Sequence, residues 1–424
     1  MLMPSVTKTD SKFFYGWVIV IVLLVAGAIL LGTRQSYGVF FKSIQSDFLL
    51  SRAVTSGVFS AYMAFSAVCA VLGGWALDKF GPKWTIAAMG FSTGLSLLLT
   101  SQVHSIWQLY LTYSLILAIG TGETYTVVSA AVSRWFQKKR GLALGISQAG
   151  GGVGLLIAAP FATYLIVSFD WRTAYIVMGV IALALVVGPA MLLKGYPAEI
   201  GLLPDGAEPV SVQNVGQIKK DAKPAGFTLK ETLWTKQFWF LFLIWLLHGT
   251  ASYIVTTHIV PHATDVNIPA IAAATILSVF AVFMSVGGLV VGALSDTVGR
   301  KNISIICAIM GAGAMFWLMW MPNNIWLFYI FAAPFGISFG GVSTMVSALA
   351  GDMFGMRSLG RIMGWLGVAW FFGAAIGPLI GGIIYDTYGN YLFAFLISAI
   401  CMLAVILLLA ILTKPKTAAP PELT

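Results

Sequence analysis

Four side chains in this 424-residue chain are strongly polar and yet lie well inside apolar runs: Arg34, Glu123, His248 and His258. Charge is costly in hydrocarbon, so each must face a watery cavity or a partner, which makes each a functional candidate. Arg34 is suited to gripping an anion, because guanidinium stays protonated and its planar fork matches a carboxylate. The competing readings are that it snorkels to an interface or pairs permanently with Glu123. Glu123, in Gly120-Thr-Gly122-Glu123-Thr-Tyr125, is either that partner or a proton carrier. His258 is a second proton candidate, since imidazole titrates near neutrality. A plain hydrogen-bonded histidine is the alternative there. His262, beside Asp265, reads as interfacial and His248 as packing. Tyr37, Tyr125, Tyr253, Phe335, Phe339 and Trp370 are candidate cavity walls for a small acid with a hydrophobic body, although helix packing is the plainer use of such residues. Ser36, Thr124, Ser252, Ser278 and Ser343 could add hydrogen bonds. No Ser-His-Asp arrangement, no metal-ligand spacing and no soluble domain suited to catalysis is present, so an enzyme or receptor is disfavoured and no cofactor is expected.

These residues are carried by a chain that is 59% apolar and 9% charged. Soluble domains need roughly 25% charged residues to cover their surface, so this is a membrane protein. The length has room for about a dozen spans at roughly 30 to 40 residues each. Apolar stretches fall at 14–42, 53–77, 84–103, 106–133, 141–168, 172–193, 237–263, 270–295, 302–321, 324–351, 361–385 and 389–413, which predicts twelve helices. Strands are excluded, because an open strand in lipid leaves its backbone unpaired. Cys69, Cys307 and Cys401 lie in apolar runs without paired spacing, so neither a disulfide scaffold nor a cysteine metal site is expected.

The net charge of +9 reports topology. With an inside amino terminus, 20 of the 24 Lys and Arg fall on inside segments, and the outer connections hold only Lys42, Arg52 and Arg172. Both termini are therefore expected in the cytoplasm, and nucleic acid drops out as a partner. Residues 194–236 are rich in Lys, Pro and Gly and have no apolar period, so they read as a linker between 1–193 and 237–424. The halves match at a shift of 218: Asp47 falls on Asp265, Asp78 on Asp296 and Trp135-Phe136 on Met353-Phe354, while Gly32-Thr33 and Tyr37 recur loosely as Gly249-Thr250 and Tyr253. Six spans are duplicated, the pattern of carriers that rock two bundles about a central site.

After span 2 the chain reads Gly74-Trp-Ala-Leu-Asp78-Lys79-Phe-Gly81-Pro82-Lys83, and after span 8 Gly292-Ala-Leu-Ser-Asp296-Thr-Val-Gly299-Arg300-Lys301. Both copies resemble the G-x-L-a-D-r-x-G-r-k signature of the major facilitator superfamily, with Pro82 departing from the pattern. An Asp at the end of one helix can bind the positive amino end of a helix in the opposite bundle. Asp78 is expected to face the start of span 11 near Arg361, and Asp296, with Arg300, the start of span 5 near Arg140. Such a latch would stabilise an outward-facing state. Trp135 to Gly154 resembles the fifth-helix signature of the monocarboxylate transporter branch. Tyr15-Gly16-Trp17, Val39-Phe40-Phe41-Lys42 and Pro197-Ala-Glu-Ile-Gly201-Leu-Leu-Pro204-Asp205-Gly206 agree, the last being typical of prokaryotic members and of oxalate:formate antiporters.

The resemblance implies an all-α membrane protein, with twelve helices in two pseudo-symmetric six-helix bundles, in a bacterial inner membrane. It implies a proton-coupled symporter of a small organic anion, acting as a monomer by alternating access. One departure bears on the cargo: spans 8 and 11 lack the core Arg or Lys that these branches use to hold a carboxylate, so an anion must rely on Arg34, with His258 as a possible helper. The alternative is a carrier of a neutral or cationic solute, with Glu123 as substrate or proton site and Arg34 as its structural partner.

Overall fold

The computed structural model describes residues 14–122, 124–136, 139–203, 226–355, 357–413 and 415. Among them, ten helices are long and apolar enough to cross a membrane. Span 1 is Gly16–Gln35, continued beyond Ser36 by Tyr37–Asp47. Spans 2 and 3 are two limbs of one helical run, Arg52–Thr100, bent at Gly81. Span 4 is divided: Ile106–Leu109, a π-helical turn at Tyr110–Ile116, Leu117–Thr121 and Thr124–Trp135. Counting span 3 and this divided span gives the twelve that hydropathy predicts. Span 5 is Arg140–Gln148 with Gly150–Ser168, and span 6 begins as Trp171–Ala182. Spans 7 to 12 are Lys236–Asp265, Ala270–Val298, Arg300–Leu318, Ile325–Phe354, Leu359–Tyr388 and Leu392–Ile411.

The duplication is visible in the backbone. Gly81 and Gly299, one in each copy of the aspartate motif, both take positive φ, at 75° and 88°. A side chain at either turn would be strained, which is why the motif has glycine at this position in both halves. Between the halves, Leu229–Leu233 forms a short helix capped reciprocally by Thr228 and Glu231. The Thr228 N–H donates to the Glu231 carboxylate and holds that carboxyl below the usual range. Large apolar side chains such as Leu407, at 67% exposed, stud the perimeter, as expected where lipid rather than water is the solvent.

The buried core does not divide along the line between the bundles. One cluster contains only N-terminal residues, among them Ile19, Leu23, Ile86, Val128 and Trp135, which lie toward the face where span 1 begins. The other joins the whole C-terminal half to the N-terminal residues at the opposite ends of their spans, including Phe40, Phe41, Phe59, Tyr113 and Tyr175. The bundles are thus fused at the face away from the termini (the distal face) and are separate cores at the terminal face. Gly38 and Gly382 make the fusion possible. A Cβ on Gly38 would lie 3.1 Å from the main-chain oxygens of Thr256 and Thr257, and one on Gly382 would lie 2.6 Å from that of Arg52. At the terminal face, Gly360, Gly364 and Gly367 of span 11 have nothing within 4 Å of the equivalent point.

This contrast gives a paired expectation. Gly382→Ala should destabilise the protein by about 1–3 kcal/mol through overpacking between spans 2 and 11. Gly360→Ala, a helical position with free space, should leave the melting temperature in detergent unchanged or slightly raised. Equal melting temperatures for the two variants would mean that the distal packing is looser than described.

Candidate functional site

The distal closure rests on span 2. Arg52, at its start, sends Nη1 and Nη2 to the two carboxylate oxygens of Asp265 at 2.7 and 2.9 Å. Its side chain is 6% exposed, and its guanidinium lies 3.4 Å from the centre of the Tyr385 ring and also donates to Tyr391. Lys42 adds a second cation to Asp265 at 2.6 Å. The Asp386 carboxylate, from span 11, accepts from the main-chain N–H groups of Arg52 and Ala53 at 2.8 and 2.7 Å. It therefore neutralises the positive amino end of span 2 from the opposite bundle. His258 lies in the same layer, with Nδ1 3.1 Å from the Tyr391 hydroxyl and Nε2 2.9 Å from the Pro378 oxygen.

Beneath this seal, Arg34 faces the junction of the bundles. Its Nη2 donates to the Tyr253 hydroxyl of span 7 at 2.7 Å. The hydroxyls of Tyr62 and Tyr113 are within electrostatic reach, and the Phe371 ring centre is 6.0 Å away. Among the described residues Arg34 has no acidic partner, and its Nε is shielded without a hydrogen bond. Phenols can orient a guanidinium, but they leave its charge uncancelled. A small adjoining cavity is lined by Gln35, Tyr37, Phe59, Tyr253, Thr257 and Phe339, among others.

A third layer, nearer the terminal face, is aromatic. Trp370 of span 11 has the rings of Trp245, His248, Phe339 and Tyr253 around it, at centroid distances of 5.1 to 5.8 Å. The structure therefore brings Arg34, Tyr253, Phe339 and Trp370 together, with Tyr37 joined to them through Phe59. It sets other candidates apart. His258 is fully buried in the seal rather than beside Arg34. Phe335 is sandwiched between Phe280 and Phe331 in the C-terminal core. Tyr125 is 63% exposed, and its main-chain oxygen accepts from Gln148. Glu123 lies outside the described residues.

Comparison with known proteins accords with this architecture. The family model of the Major Facilitator Superfamily matches residues 23–273 and 241–424. The chain belongs to the Major Facilitator Superfamily. Monocarboxylate transporter 12 of Xenopus laevis is 27% identical over 421 residues, covering 96% of this chain and 90% of that one. Human monocarboxylate transporter 2 is 25% identical over 399 residues, covering 90% and 82%. Among solved structures, the nucleoside transporter NupG superposes with a TM-score of 0.73 at 14% identity, covering 95% of this chain and all of that one. A bacterial homologue of the human lysosomal transporter Spinster gives 0.71 at 14% identity, covering 93% and 96%. These structures share the fold. As a superfamily member the protein is a multi-pass membrane transporter and not an enzyme.

The superfamily's aspartate motifs lie on the parted terminal face. Arg300 is engaged within its own half, donating to Asp352 and to the Ala348 oxygen. Arg361 is exposed at the start of span 11. The side chains of Asp78, Arg140 and Asp296 are outside the described set. Sequence reasoning missed the seal, although a signal was available: Asp265 occupies the position of Asp47 in the repeat. Asp47 binds Arg172 inside its own half at 2.8 Å, whereas Asp265 reaches across to Arg52. The tyrosines around Arg34, Tyr62 and Tyr113, carried no signal beyond their type.

Asp265 is partly exposed, so removing it leaves a shielded Arg52 without its counter-ion at a cost of about 1–3 kcal/mol. Because this pair joins the two halves, the cost in Asp265→Asn falls on the distally closed state. Spin labels at Ser46 and Thr387 should therefore show a larger long-distance population in Asp265→Asn than in the parent. An unchanged distance distribution would show that the pair does not hold the halves together.

Proposed function

We propose that this transporter is a proton-coupled symporter of a small, monocarboxylate-like organic anion in the bacterial inner membrane, with both termini in the cytoplasm. The observation that carries this reading is Arg34. It is a permanent cation at the junction of the bundles, held by a phenol and lacking an acidic partner among the described residues. A carboxylate entering between Arg34 and Tyr253 would gain a charge-assisted bond from the first and a hydroxyl contact from the second. Relatives named monocarboxylate transporters support the same cargo class.

The distal face is then the outer one, and the fusion of the bundles there with their separation at the terminal face corresponds to an inward-facing state. Alternation requires the Arg52–Asp265 seal to open while the terminal face closes, with Asp78, Asp296, Arg140, Arg300 and Arg361 forming the latch on that side. Glu123 and His258 are the proton sites in this reading. His258 touches Tyr391, which also bonds Arg52, so a proton gained there would be felt directly at the seal. The unit that does this is a monomer, since the two bundles complete the pathway within one chain.

Purified protein in liposomes should accumulate a radiolabelled monocarboxylate when the outside is made acidic. Arg34→Gln should reduce uptake by roughly a hundredfold or more, the loss of a charged hydrogen bond in a low-dielectric site. Folding yield and melting temperature should be retained. Full uptake in the variant would remove Arg34 from the site. A thermal-shift screen in which amines or sugars, rather than acids, stabilise the parent would favour a neutral or cationic cargo instead.

A further inference from the structure

A second set of buried polar groups, in and around the aromatic layer, is unexplained by a bare carboxylate. His248 is 1% exposed, and its ring lies near the main chain of Phe339, yet neither nitrogen makes a well-formed hydrogen bond. The Ser252 and Ser343 hydroxyls and the Trp245 indole N–H are likewise shielded and without partners among the described residues. Leaving such groups unpaired is costly, and a folded chain ordinarily avoids it. Residues 245, 248 and 252 follow steps of three and four, so they share one face of span 7. That face meets Trp370, whose ring also touches Tyr253, the residue holding Arg34.

We propose that His248, with Ser252 and Ser343, is a second recognition subsite, taking a hydroxyl, keto or amide group at the far end of a flat monocarboxylic acid. This rests on the reading that Arg34 and Tyr253 hold the carboxylate. The five-residue step from His248 to Tyr253 is about 7.5 Å of helix rise, a separation on the scale of an aromatic ring together with the bonds to its two polar substituents. Neutral imidazole offers a donor on one edge and an acceptor on the other, so a hydroxyl, keto or amide group of the solute can meet one of them. A second carboxylate does not fit, because the surrounding Trp245, Phe339 and Trp370 supply no cation to offset its burial. The same three rings give a flat apolar body faces to stack on.

Matched acids test this directly. The purified transporter should bind 4-hydroxyphenylacetate about tenfold more tightly than phenylacetate, the worth of a good buried hydrogen bond. In His248→Phe the ratio between the two acids should fall to about one, and in His248→Gln part of it should return. If the phenylalanine variant does not fold, the ratio in the Ser252→Ala, Ser343→Ala double variant decides in the same way. A ratio near one in the parent, or one that His248→Phe leaves unchanged, overturns the subsite while the carboxylate site stands. If folded parent protein binds neither acid, the subsite is overturned while the carboxylate site stands; if Arg34→Gln binds both acids as tightly as the parent does, the carboxylate reading itself fails and the subsite falls with it.

Discussion

A guanidinium between two helical bundles, with no acidic partner among the described residues, is the constraint to which the rest of the structure answers. Desolvating a cation is costly, and a phenol returns only part of that cost. The contact from Arg34 to Tyr253 also crosses the bundle junction, so whatever binds the cation is sensed by both halves. Tyrosines suit this position better than a carboxylate would. They hold the side chain in place without neutralising it, and so keep it available to an incoming anion. The absence of core cations on spans 8 and 11 adds weight to the same residue, because no other described cation in the middle of the bundles can replace it.

The duplication supplies two similar bundles, and the function lies in the places where they differ. Gly81 and Gly299 keep a positive-φ turn in both copies. Asp47 and Asp265 begin from equivalent positions but part company: one closes a contact inside its own half, and the other closes the distal face between halves. The N-terminal bundle contributes the cation. The C-terminal bundle contributes aromatic rings and His248. A solute held between them would be gripped by charge on one side and by shape and hydrogen bonding on the other. Exact two-fold symmetry could not provide that division.

Most of the fold was legible from the sequence, because lipid imposes a strong rule: runs of about twenty apolar residues must be helices. The repeat and its turn glycines were legible for a similar reason, since backbone geometry leaves a residue-type signature. Arg34 was legible because a cation in hydrocarbon demands explanation. Side-chain direction was not. His248 and His258 lie ten residues apart on one helix, and periodicity could not say that the first would lack a well-formed hydrogen bond among the described residues while the second would be tied to Tyr391 and Pro378. The seal escaped for another reason. Arg52 and Asp386 sit at span ends, where charges ordinarily report topology, and only their placement across the bundle junction gives them a further role.

The seal and the site are parts of the same two rigid elements. Span 7 carries His248, Tyr253, His258 and Asp265 in order, and span 11 carries Trp370, Pro378, Tyr385 and Asp386. From Tyr253 to Asp265 is about 18 Å of one continuous helix, with Pro261 between them. Parting Asp265 from Arg52 is therefore coupled through that helix to the position of Tyr253 relative to Arg34, less whatever a bend at Pro261 takes up. A solute bridging Arg34 to the aromatic wall of spans 7, 10 and 11 would oppose that shift until the opposite face had closed. Coupling between an occupied site and a closed seal then follows from shared helices and needs no separate relay.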